Sequence, residues 1–391
     1  MDGWIFNSMQ ERTTFDTATS LEFHRRHPDI SIDQYVKAKS LELAESIHGL
    51  DKIYLDQRFW VLLRDAHMGR SKNQAAYALL GMIRSAVANG KVLCPISESV
   101  FLELLKQQDL TTRQATAELI DEFSHGITLV PYAQRVAQEL ISVIVLSSPN
   151  GEQYYEPKDL VWSKLSYVLG VVHPFETTFP SEEETAIQKS FFDHMWQIPL
   201  VEMLSYLDDT FFTPDKFGET AGKLNELNRN HQNEVKTFKQ IYLDEIRGVL
   251  SLFMHVPRMW SESEYERISG ASVVCSDHEI QEREQKWHTV FGNLVTERAV
   301  ARRLPSLHVS ALCHAAVRWD KGRKLVANDF YDFHHAAAAV GYCEAFMTEK
   351  PLMSLLQQRH LQLVNDYPCV VIADINEAVE WMGGIYQETD C

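Results

Sequence analysis

The rhythm of apolar and polar positions changes three times along the chain. From residue 51 to 146, short apolar runs alternate with amphipathic segments. From 147 to 300 helical spacing dominates, and from 301 to 391 the alternation returns. The run Ile53-Tyr54-Leu55 ends abruptly in Asp56. Such residues suit a pleated, buried surface, so Lys52–Asp56 reads as an inner strand of a covered parallel sheet. Lys91–Pro95 and Ile127–Pro131 predict two further strands. Ala76, Leu79, Leu80, Ile83 and Val87 share one face of a helix over Asn73–Ala88, which Asn89-Gly90 closes as a left-handed cap would. Ser97 predicts the cap of a helix carrying Glu103, and Leu110–Ser124 and Ala133–Val145 are further helices. Strand and helix in alternation are the signature of right-handed crossovers building a parallel sheet.

Ahead of this region, residues 1 to about 48 read as an irregular lead and then a helix, whose Ser31…Gln34 has capping-box spacing. In the middle region Ser181…Glu184 has the same spacing. A long helix is predicted from about Ala221 to Met254, separated from its predecessor by Pro214 and Gly218. Trp162, Trp196 and Trp260 read as core of this helical block, although aromatic rings can also stack on bases. In the last region Ser306–Arg318 is a helix, Asp320–Lys324 a polar turn and Asp332–Tyr342 an alanine-rich helix. Glu344–Thr348 and Cys369–Ile372 are strands, and Asn376–Met382 closes the chain. The expected organisation is an N-terminal helical extension (1–50), an α/β domain in two parts (51–146 and 301–391), and a large all-α insertion (147–300).

Composition narrows the class. The 391 residues are 45% hydrophobic and 23% charged, ordinary for a folded protein. No apolar run approaches the roughly 20 residues that span a bilayer, and the N-terminus lacks a secretion pattern. Six cysteines without a CxxC pair argue against a zinc ribbon or disulfide framework and point to a reducing, cytoplasmic setting. The formal charge of −17 opposes nonspecific attraction to polyphosphate. A nucleic-acid reading must therefore rest on a local site.

The acids supply one. Asp56 ends the first strand, Glu103 follows the second, Asp332 opens the alanine-rich helix with Asp329 just before it, and Glu344 and Glu349 flank the fourth strand. In an open parallel sheet the loops at the strands' carboxyl ends share one edge, where ligands bind. Several carboxylates in one pocket repel unless a cation offsets them, and hard oxygen ligands suit magnesium or manganese. Plainer readings stand beside these. Asp56 is also a good N-cap for a helix beginning near Phe59, Glu98 suits a helix-dipole role, and His334 and His335 read as packing before proton transfer.

The segments Ile53-Tyr54-Leu55-Asp56, Ile96–Leu104, Asn328–Ala338 and Phe346–Lys350 together resemble the PIN-like nucleases, named from the PilT N-terminus. The resemblance covers roughly 51–146 and 301–391. It implies a parallel sheet of about five strands with a metal-dependent ribonuclease-type site. By that motif Asp56, Glu103 and Asp332 are the first three metal-binding acids, and the fourth falls at Glu344 or Glu349. Read from the residues themselves, Asp329 is either a supporting acid or the cap of its turn, Thr348 either holds a metal-bound water or satisfies backbone at a strand end, and His335 either assists proton transfer or packs. Magnesium or manganese is the implied cofactor, and RNA, favoured over DNA, the implied substrate.

Two basic groups, Arg298/Arg302/Arg303 and Arg318/Lys321/Arg323/Lys324, could hold substrate phosphates, with Arg302, Arg303, Arg323 and Lys324 the named candidates. The plainer reading of such groups is a solvated face. No GxGxxG or GxxxxGK[ST] occurs, which argues against dinucleotide and P-loop sites. The helical insertion would be a lid, an oligomer interface or a partner surface. The alternative to a nuclease is an inactive PIN-like protein that binds a partner through it.

Overall fold

The computed structural model describes residues 16–147, 154–168, 173–207, 217–231 and 237–387. Among them are six strands: β1 (Asp51–Leu55), β2 (Val92–Leu93), β3 (Ile127–Leu129), β4 (Trp162–Lys164), β5 (Ala345–Met347) and β6 (Val370–Ile372). Four form a parallel sheet in the order β2-β1-β5-β6. β1 is central. Its Ile53, Tyr54 and Leu55 stand opposite Ala345, Phe346 and Met347 of β5, and all six are fully buried. That is why the segment is apolar without alternation: both faces are covered.

The chain is mixed α/β and mostly helical, and the parallel sheet has four strands where about five were expected. The third expected strand forms, but β3 pairs antiparallel with β4. Only one parallel bridge, Ile96 to Thr128, ties it toward the main sheet. Pro95 gives a reason. It has no N–H to donate to a ladder, and β2 ends two residues before it. β4 carries Trp162, so this buried residue of the predicted helical block stands on a strand.

The helices follow their apolar faces, with local corrections. The capping box at Ser31 forms, with Gln34 N–H to Ser31 Oγ at 3.2 Å and Ser31 N–H to Gln34 Oε1 at 3.0 Å. The Gln74–Ala88 helix starts on Asn73 and ends at Asn89, with Gly90 at φ 62°. The predicted box at Ser181 does not form. Pro180 is the cap, and Glu184 instead accepts from Thr177 N–H (2.7 Å) and its hydroxyl (2.6 Å). The long helix is two, Phe217–Asn230 and Phe238–Ser251. Between Leu227 and Val235 every residue is polar, so two turns there would have no apolar face to bury. Thr237 restarts the helix by accepting from Gln240 N–H. Gly218 lies inside the first of the two helices; Pro214 lies outside the described residues.

One large core surrounds the sheet. A smaller one joins Val136 and Leu140, and Leu307 and Ala311, to Ile246 and Phe291 of the helical block. Beside it lies a fully buried acid, Glu139. Its carboxylate accepts from Ser306 N–H (2.8 Å) and the Tyr342 hydroxyl (2.5 Å), capping the Pro305–Trp319 helix. Burial pushes its pKa up to about 7 despite those bonds. No helix among the described residues is long and apolar enough to cross a membrane.

Candidate active site

The carboxyl edge of the sheet opens into a cavity of about 390 Å³ lined by Asp56, Glu103, Asp332 and Glu349, with Arg58 and His335 beside them. Four acids separated by up to nearly three hundred positions therefore share one cavity. The parallel register is the cause: Asp56 leaves β1 where Thr348 and Glu349 leave β5.

Asp56 is the N-cap that its plainer reading expects, and it also lines the cavity. Its Oδ1 accepts from Phe59 N–H at 3.2 Å, capping the Gln57–His67 helix, while Oδ2 accepts from the Thr348 hydroxyl at 2.7 Å. Burial raises its pKa to about 6. The Thr348 bond and the charge of His335 hold it from going further. Thr348 is fully buried, so its hydroxyl orients the acid.

Asp332 lies in the second turn of the Ala327–Ala339 helix and does not open it. Asn328, one turn back on the same face, donates to its Oδ1 at 3.2 Å. Burial is the largest cause of its pKa rising to about 7. The charges of Asp56, Glu349 and Glu103 add to it, and His335 opposes.

Glu103 is held by His335, whose Nε2 stands 2.8 Å from Oε2. The other ring nitrogen, Nδ1, is 2.8 Å from the Tyr54 hydroxyl, which is 2.6 Å from Ser97 Oγ. Burial alone would lower the pKa of His335. The Glu103 bond and the charges of Glu103, Asp56 and Asp332 outweigh it, so the ring is pushed toward the protonated form. In that form both nitrogens donate, Nε2 to Glu103 and Nδ1 to the Tyr54 oxygen, and the Tyr54 hydroxyl in turn donates to Ser97 Oγ. Ser97 takes the expected N-cap position of the Glu98–Leu105 helix, but its hydroxyl is committed to Tyr54 and makes no side-chain cap bond. Glu349 sits at the N-cap position of the Lys350–Leu356 helix with its side chain exposed and no capping bond.

Other candidates fall elsewhere. Glu344 precedes β5, so it stands at the amino edge of the sheet, where its carboxylate accepts from Lys52 N–H at 2.7 Å. Of the two choices for a fourth acid, only Glu349 is in the cavity. Asp329 accepts from Val326 N–H (2.9 Å) and from Arg323 (2.6 Å); it starts its helix and does not line the cavity. Glu98 binds Tyr132 N–H (2.7 Å) and lies 3.4 Å from Arg135. Burial would raise its pKa, but Arg135 and His334 hold it down to about 2. Arg302 lies 3.9 Å from Asp366, and neither it nor Arg303 lines the acidic cavity. Arg323 and Lys324 line a separate one.

Tyr54, Asn328 and Arg58 have no role in the sequence reading. Tyr54 is indistinguishable from core in an apolar strand, and nothing in its spacing announces its hydroxyl. Asn328 was findable, since four residues before Asp332 on a helix is the same face.

Among the described residues no three His, Cys, Asp or Glu side chains stand in a group that would hold a metal ion as they are placed. The donor chemistry nevertheless fits a hard divalent cation. Asp56 and Asp332 have carboxyls raised by burial and by neighbouring negative charge, a cost that a cation would offset. The chain matches no family model, no curated protein and no solved structure.

Proposed function

We propose that this protein is a metal-dependent nuclease with a PIN-like α/β domain, hydrolysing phosphodiester bonds of RNA in preference to DNA. The observation that carries the reading is the convergence of Asp56, Glu103, Asp332 and Glu349 on one cavity at the carboxyl edge of a parallel sheet. Asp56, Asp332 and Glu349, with Glu103, would hold magnesium or manganese. When bound, such an ion supplies a water of lowered pKa and offsets charge on the leaving oxygen.

The chain's own residues do the positioning. Thr348 fixes the rotation of Asp56, Asn328 that of Asp332, and His335 that of Glu103. Through Tyr54 and Ser97 the imidazole is held from behind, with its proton at Nε2 facing Glu103. Arg58, donating to Ala373 O at 2.9 Å, keeps a positive charge on the cavity wall. The preference for RNA comes from the family resemblance alone.

The test is cleavage of labelled RNA and single-stranded DNA with magnesium or manganese, wild type against Asp56→Asn. The nuclease reading predicts metal-dependent cutting that the variant loses. Equal cleavage by both proteins, or none by either, removes it. A second reading, a noncatalytic protein binding a partner through the helical block, draws support from the exposed Leu252, Met259, Tyr265, Ile268 and Val274 there. It is the one left if neither protein cuts.

A further inference from the structure

A second, smaller cavity of about 130 Å³ is lined by Arg229, Arg318, Lys321, Arg323 and Lys324. Asn328 lines the acidic cavity, whereas its neighbour Asp329 is bonded to Arg323 of this one. Adjacent residues of one helical turn thus link the two.

Five cations gather here on a chain whose formal charge is −17, and Asp320 is the only acid in the lining. Arg318 is answered by Glu245 at 3.0 Å and Arg323 by Asp329 at 2.6 Å. Among the described residues Arg229, Lys321 and Lys324 have no carboxylate partner. The cationic turn is also held in place. Asn225 donates to Leu325 O at 2.8 Å and accepts from Leu325 N–H at 2.9 Å, pinning the turn to the Phe217–Asn230 helix. Asp320 accepts from Gly322 N–H at 3.0 Å, closing the turn on itself. Trp319 belongs to the same lining and is 42% exposed, its ring edge-on to Phe238.

We propose that this cavity is a nucleotide subsite for a single-stranded polynucleotide, in which the cations hold a backbone phosphate and Trp319 stacks on the adjoining base. The acidic surface as a whole repels such a strand, so binding needs a local anion site. A phosphate contact sets register without reading sequence. An aromatic ring beside it adds stacking that any base can supply. The inference rests on the nuclease reading and adds its substrate class: a strand that reaches both cavities, not a mononucleotide.

The experiment uses the full chain carrying Asp56→Asn, so that the strand survives. Binding of a fluorescein-labelled single-stranded oligouridylate is followed by anisotropy over a salt series. In that background Lys321→Ala/Lys324→Ala, and separately Arg229→Ala, should lower the slope of log affinity against log salt by roughly 0.7, one phosphate's worth on a single strand. Trp319→Ala should weaken binding about tenfold at every salt concentration with the slope unchanged, since stacking releases no counterions. Lys286→Ala, an exposed lysine of the Asp277–Leu294 helix, should change neither. No saturable binding, unchanged slopes in both cation variants, or an equal fall with Lys286→Ala overturns the subsite. If the strand binds with these slopes and wild type does not cut it, the subsite stands and the nuclease reading falls. If wild type cuts and the slopes do not move, only the subsite falls.

Discussion

Thr348 makes one bond that bears directly on Asp56, and its loss has a definite sign. The hydroxyl bond lowers the pKa of Asp56 against burial. In Thr348→Val that pKa rises, so the acid limb of the pH–rate profile should move up by roughly half a unit to one unit. An unmoved limb would mean that Asp56 does not titrate in the reaction. Asp332 permits a test without activity. Its pKa rises from an ordinary 3.8 to about 7, so the folded state binds a proton more tightly than the unfolded state. Stability is therefore lost as pH rises between those values. Without divalent metal, Asp332→Asn should be more stable than wild type near pH 8, by about 1–2 kcal/mol, and little different near pH 4. Urea unfolding at the two pH values checks this, and a less stable variant near pH 8 contradicts it. At this scale, acids that end strands were legible because position in a strand–turn pattern predicts an edge. Hydroxyls were not. Ser97 stands at the expected N-cap position, but its hydroxyl is held by Tyr54, a pairing across 43 positions that no local spacing encodes.

Elements decide which acids meet. Glu344 and Glu349 flank one three-residue strand, yet the strand's direction sends them to opposite edges of the sheet. Glu344→Gln should leave cleavage within about twofold of wild type, while Glu349→Gln should lower it about a hundredfold. Matched turnover assays separate the two, and the reverse order would refute the assignment. Glu139 tests a helix start. Glu139→Ala strips acceptors from Ser306 N–H, Leu307 N–H and the Tyr342 hydroxyl at a fully buried position. It should cost about 3 kcal/mol in urea unfolding, and a loss below about 1 kcal/mol would show that the cap contributes little. The expected helices and most strands were legible from apolar periodicity. Misreadings arose where a single feature overrode it: Pro95 after β2, the polar run from Asn228 to Glu234, and Pro180 ahead of Ser181. Asp332 was misplaced at a helix start for a related reason. The small-residue run begins near it, but the helix starts at Ala327 behind the N-cap Val326, whose N–H Asp329 accepts.

Across the whole molecule, the two signs of charge are segregated. Net charge is −17, yet cations concentrate around the small cavity that Arg323 links to the helix bearing Asp332. The sequence showed both charge groups but not their separation. That depends on which side of one helical turn each residue faces and on Asn225 of the helical block pinning the basic turn. The helical block is bound to the α/β part by the core around Phe291 and Leu307, which its own periodicity did not reveal. The central claim is that the four acids of the larger cavity jointly take a divalent cation. Calorimetric titration of manganese into wild type and into Asp332→Asn near pH 7.5, above the raised carboxyl values, tests it most directly. The account predicts saturable binding by wild type that the variant loses or has weakened at least about tenfold. Equal binding by both proteins, or no saturable binding by wild type, would contradict it.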